Sequence, residues 1–128
     1  MKRFALVLIA VCALVAAPPA SAKQDVRAHL ERRLPTDARA GQTIRVVWSL
    51  YYVEDGRRRP FGASELFVKL RGASKVYGEG RNGRYTARVK VPRRGITGIR
   101  FGLDGIRIVR GIESPAPVYF PLDNDPFA

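Results

Sequence analysis

The sequence predicts an all-β fold in which two stacked sheets are built from about seven short strands. Three observations carry that expectation. Apolar residues recur at every second position in segment after segment, the period of a strand with one buried face. Gly, Pro, Asn and Asp punctuate these segments at short intervals. No convincing long stretch carries the spacing of an amphipathic helix.

The chain opens with a segment that does not belong to this domain. Lys2 and Arg3 precede an unbroken apolar run from Phe4 to Ala17, Pro18 and Pro19 follow, and Ala20-Ser21-Ala22 supplies small residues. That order is the one expected of a secretory signal peptide ending at Ala22. The run is shorter than the roughly twenty residues a bilayer span requires. Cys12 lies in the middle of it, away from the position of a lipid-bearing cysteine. The expected organisation is therefore a leader over 1–22, one domain over 23–122 and a C-terminal tail over 123–128. The expected location is secreted, periplasmic or cell envelope, with no transmembrane segment in the mature chain. The only Cys and the only Met lie in the expected leader, so the domain is expected to have neither disulfide nor thiol. About a hundred residues can manage without, burying roughly 65% of their unfolded surface.

The elements follow from alternation. Val26, Ala28 and Leu30 alternate with Arg27, His29 and Glu31, which predicts a strand, although Val26 and Leu30 also fit one helical face over 24–33. A connector rich in Pro and Gly leads to Ile44, Val46, Trp48, Leu50 and Tyr52, a β-branched and aromatic strand whose Trp48 reads as a core anchor. Residues 54–64 read as a turn-rich loop holding Asp55-Gly56 and Pro60. Leu66, Val68 and Leu70 restore alternation, and a short piece follows around 75–77. Asn82-Gly83 marks a turn into Tyr85, Ala87, Val89 and Val91. Ile99, Phe101 and Leu103, then 105–109, then 117–120 complete the set, and the tail lies against the domain or frays.

A hairpin joining 85–91 to 97–103 with matched apolar faces would set Arg88 opposite Arg100. Like charges across a ladder cost a few tenths to about 1 kcal/mol. Opposite sheets, joined by a Greek-key connection, avoid that pairing.

Gly83, Tyr85, Ala87, Val89, Val91, Pro92 and Gly95, at their spacing here, resemble a stretch of bacterial secreted immunoglobulin-like domains, the YtkA-like and CopC-like domains being nearest. The segment from Ala40 to Leu50 looks like their second strand and that from Arg59 to Leu70 like the next. The resemblance implies an immunoglobulin-like sandwich, and it would suggest copper handling. The donors argue against copper. Copper(I) favours thioether or thiolate and copper(II) favours imidazole. After the leader there is no Met, no Cys and one His, and His29 with Asp25, Glu31 or the amino group of Lys23 is a poor ligand set. No cofactor or metal is expected.

Other chemistries lack their parts. Nucleophilic catalysis needs a hydroxyl or thiol beside a base. None of the hydroxyls, Ser49 among them, lies in a nucleophile-elbow pattern, and His29 is the only imidazole. His29 reads as a solvated residue on an outward strand position. Glu54-Asp55 sits in a turn where acids serve local hydrogen bonding, and Asp123 and Asp125 sit in a tail that offers a poor platform. The glycines over 72–83 lead into a strand and not a helix, so they form no phosphate cradle.

Charge remains. The chain has 23 Lys and Arg against 11 Asp and Glu, a net of +12. Arg57, Arg58 and Arg59 form a run in the expected loop, Arg84, Arg88 and Lys90 share one strand face, and Arg93 and Arg94 lie in a turn. Together they are the candidate anion-binding patch. In an exported protein its partners would be anionic cell-wall polymer, polysaccharide or lipid headgroups. Nucleic acid is not expected, since both a recognition fold and the compartment are missing. The bland reading is that outward charges protect sheet edges. The expected function is a non-enzymatic binding or structural module at the cell envelope. A small-ligand or copper carrier and a secreted enzyme inhibitor are the alternatives.

Overall fold

The computed structural model describes residues 25–128, and the expected leader lies outside them. Among the described residues there is no helix, so none long and apolar enough to cross a membrane. The chain forms β1 (Arg27–Leu30), β2 (Thr43–Glu54), β3 (Arg57–Pro60), β4 (Leu66–Leu70), β5 (Val76–Tyr77) and β6 (Glu79–Arg81). It continues with β7 (Arg84–Lys90), β8 (Ile99–Leu103), β9 (Ile106–Val109), β10 (Ile112–Pro115) and β11 (Val118–Phe120).

One antiparallel sheet runs β1-β2-β7-β6, with β3 also paired to β2, and the other runs β11-β8-β4-β5. Their apolar faces meet in a sandwich-like core. Val46, Trp48 and Leu50 of β2 and Val89 of β7 come from the first sheet; Val68 and Leu70 of β4 and Phe101 of β8 come from the second. Trp48 is fully buried, with its ring centroid 4.9 Å from that of Phe101 and 6.1 Å from that of Tyr85. Within the ambiguous segment Arg27–Leu30 is a strand and no described residue is helical, and Val26, Ala28 and Leu30 are buried as alternation requires.

Eleven strands replace the expected seven or so. β3 and β10 show no buried residue at all, and neither does β6, so a search for one apolar face passes over them. Two-residue turns make them instead. Asp55-Gly56, Asn82-Gly83 and Arg110-Gly111 all have positive φ at both central residues, which matches the twist of a tight hairpin. Each turn folds a polar or exposed arm onto its neighbour: Glu54 pairs with Arg57, Arg81 with Arg84, and Val109 with Ile112. The segment over 54–64 is therefore not simply a loop, because Arg57–Pro60 is hydrogen-bonded to β2.

β7 and β8 do lie in different sheets, but charge repulsion does not explain it. Arg88 faces Arg45 across β2, and Arg100 faces Lys69 across β4. Each such pair costs at most about 1 kcal/mol, whereas burying one large apolar side chain gains about 1.5–3 kcal/mol. Core burial sets the register and the like charges follow.

Gly83 has a second constraint. A Cβ there would lie 2.8 Å from the Leu50 carbonyl oxygen and 2.8 Å from Pro60 Cβ, where the end of β3 meets the β6–β7 turn. With φ near +78° as well, Gly83→Ala is expected to destabilise the fold by about 1–3 kcal/mol, read from urea denaturation.

Candidate functional site

Alternation that turns Ile44, Val46 and Trp48 inward turns Arg45, Val47 and Ser49 outward on β2. Register then brings cations together. Arg45 lies opposite Arg88, Val47 opposite Thr86, and Ser49 opposite Arg84, which itself faces Arg81 of β6. Lys90 continues the same face opposite Thr43. The Arg45 Nε donates to Thr86 Oγ1 at 3.1 Å, holding one guanidinium against the sheet.

A shallow depression of about 390 Å³ opens among Arg32, Arg45, Arg81, Arg84, Thr86 and Glu79. A second, of about 410 Å³, lies beside Arg45, Arg88 and Tyr77. Acids near these depressions are few, and Asp123 lies further along the same face beside Arg58. Glu31 lies 4.0 Å from Arg84 and accepts from Ser49 Oγ at 2.8 Å, and Glu79 pairs with Thr86. Facing guanidinium groups with few counter-charges favour an anion that can bridge them.

The expected patch divides. Arg84, Arg88 and Lys90 share this outward face, and Arg58 is in register with outward Val53. Arg57 and Arg59 alternate to the other side of β3, opposite Glu54 and Tyr52. Arg93 and Arg94 sit in the turn after β7, closed by Gly95 N–H donating to the Pro92 carbonyl at 2.9 Å. Arg45 and Arg81 were missed as site residues. Arg45 was legible as an outward residue of its strand, but its place opposite Arg88 required the pairing of β2 with β7. Arg81 follows from the Asn82-Gly83 turn once that turn is recognised as a two-residue hairpin.

At the β1 edge a second cluster overturns two expectations. Ala28 N–H donates to the Pro121 carbonyl at 2.8 Å, and Asp123 N–H donates to the Ala28 carbonyl at 2.9 Å. Asn124 accepts from Leu30 N–H at 2.8 Å and donates to its carbonyl at 3.0 Å. The tail thus completes an edge strand whose backbone groups would otherwise be open. Asp123 is no loose acid: it accepts from Tyr51 Oη at 2.5 Å and pairs with His29 Nδ1 at 2.7 Å, with Arg58 at 3.8 Å. His29 is correspondingly a tied, half-buried residue. Ser49 lies across the ladder from it, but its hydroxyl is committed to Glu31. Among the described residues no three His, Cys, Asp or Glu side chains gather as a metal-binding group.

Burial acts against ionised Asp123, but hydrogen bonds from Tyr51 and His29, with the charges of His29 and Arg58, outweigh it and hold its pKa below the ordinary value. The bond to Asp123, then burial and the carboxylate charge, raise the Tyr51 pKa, while Arg58 and Arg27 oppose. A carboxyl with a lower pKa folded than unfolded stabilises the fold above its unfolded pKa. That contribution is lost as pH falls through the folded value. Asp123→Asn should therefore cost about 1–2 kcal/mol at neutral pH, and the difference from the parent should shrink below about pH 4, measured by urea denaturation across pH.

No protein-family model, curated protein or solved structure matches this chain.

Proposed function

We propose that this chain is a bacterial secreted, non-enzymatic immunoglobulin-like module that binds an anionic polymer of the cell envelope, a wall polymer or acidic polysaccharide. The leader-like start supports export, and the two-sheet arrangement supports the immunoglobulin-like reading. The observation that carries the proposal is the grouping of Arg45, Arg81, Arg84, Arg88 and Lys90 on one outward face.

The face suits a polymer better than a small anion. From Arg84 to Lys90 the strand spans about 20 Å, and its depressions are shallow and open to solvent. Repeating negative charges along a chain can meet several such cations at once, each contact weak and screened by salt. No covalent step is involved.

Cosedimentation with purified cell wall or an acidic polysaccharide tests this. The parent protein should bind at low salt and release at high salt. The triple variant R45Q/R84Q/R88Q should lose at least about tenfold in affinity while its thermal midpoint stays level or rises, because like-charge pairs are removed. Equal binding by parent and variant would overturn the proposal.

A further inference from the structure

The ladder joining β8 to β11 does not stop at the edge of its sheet. Phe101 pairs with Phe120 and Leu103 with Val118, Ala116 N–H donates to the Gly105 carbonyl at 2.8 Å, and Ile106 pairs with Pro115 and Val109 with Ile112. The same register therefore carries through to the Arg110-Gly111 turn. β4 pairs with this ribbon only as far as Leu103. Just beyond it Asp104 N–H still donates to the Glu65 carbonyl, and the Asp104 carboxylate pairs with Lys75. From Ile106 to the Arg110-Gly111 turn the β9–β10 arm extends for about 15 Å with no third strand beside it.

Every residue of β9 and β10 is exposed. Ile106, Ile108, Val109 and Ile112 are 69%, 66%, 53% and 70% accessible. By register Ile106 and Ile108 lie on one face of the ribbon, and Val109 and Ile112 on the other. A two-stranded ribbon is marginal in water on its own, and exposed apolar clusters of this kind mark contact sites.

We propose that the β9–β10 arm inserts its tip into the headgroup region of an anionic lipid bilayer. The apolar residues lie on both faces of the arm, whereas a flat protein surface would cover only one. A lipid interface surrounds an inserted tip on all sides. Charge favours the same partner. The arm carries Arg107 and Arg110 against Glu113 alone, in a chain of net charge +12. Arms from two copies would bring like charges together, while acidic headgroups attract them. Burial of isoleucine side chains to a shallow depth then adds to the electrostatic attraction. The inference goes beyond polymer binding, because no residue of the outward basic face belongs to the arm.

The exported protein is incubated with vesicles of phosphatidylcholine alone, or of phosphatidylcholine and phosphatidylglycerol in equal parts, and then sedimented. Pelleting is expected with the mixed vesicles and should fall at least about tenfold in I108D/I112D. Both positions are solvent-exposed, so the substitutions leave the core intact. In I108W, emission of the new tryptophan should shift to the blue on mixed vesicles, and R45Q/R84Q/R88Q should retain the arm's contact with lipid. Failure to pellet, undiminished pelleting of I108D/I112D, or pelleting without a blue shift would overturn the inference. So would a dimer in analytical ultracentrifugation that I108D/I112D dissolves, with no lipid binding, since a second copy would then cover the arm. Loss of wall-polymer binding alone would instead count against the proposed function.

Discussion

The packing of Trp48 against the opposite sheet is the constraint on which the other features depend. Its ring reaches Phe101 across the core and Tyr85 beside it. It also presses so close to Gly78 that a Cβ there would fall 2.4 Å from the ring. The indole Nε1 has no hydrogen-bond partner among the described residues, a cost of about 1–3 kcal/mol. Burial of an indole-sized surface, on the order of 200 Å², contributes about 5 kcal/mol, so the anchor remains favourable. Because side chains alternate strictly, an inward Trp48 leaves Val47 and Ser49 outward and Arg45 two residues further on the same face. A slip of one residue in β2 would bury Arg45 and expose Trp48. Core and charged face are therefore two consequences of one register.

That coupling explains why repulsion is tolerated. Arg45 and Arg88 directly oppose one another, as do Arg81 and Arg84. Exposed charges of this kind interact through water and counter-ions, so their mutual cost is small beside the apolar burial beneath them. The charged face is held in place by a core that gains nothing from the charges. This leaves the cations free to respond to an external anion, which would relieve the repulsion and stabilise the folded state by mass action.

How much could be read from the residues depended on what each element needed in order to form. β2, β4, β7 and β8 were legible because each carries its own apolar stripe. β3, β6 and β10 carry none, and only their turns specify them. Asp55-Gly56 and Asn82-Gly83 are turn pairs by composition, yet their partner arms were not inferred, and Arg110-Gly111 carries no such conventional signature. Long-range register was the harder loss. Arg45 was visibly outward, but nothing local says that Arg88 will face it. Asp123 was misread for the same reason, since the backbone bonds that place it beside His29 and Tyr51 join Ala28 to Pro121 and Asp123, more than ninety positions along the chain. The charge clusters were read by proximity in sequence, and alternation then sent Arg57 and Arg59 away from Arg58.

The tail and the arm show opposite ways of treating exposed strand. At β1 the residues from Pro121 to Asn124 bond to an otherwise open edge, which removes a template for unwanted pairing. At β9–β10 no neighbouring strand does so, and the apolar side chains stand clear of both sheets. The arm nevertheless inherits its alignment from Phe101 and Phe120, whose pairing sits in the core. Its local order should therefore fall away with distance from that anchor, because each step outward adds a ladder bond without adding packing. A segment with this gradient can adjust its tip to a surface at little cost while its base keeps direction, which a fully packed hairpin could not do.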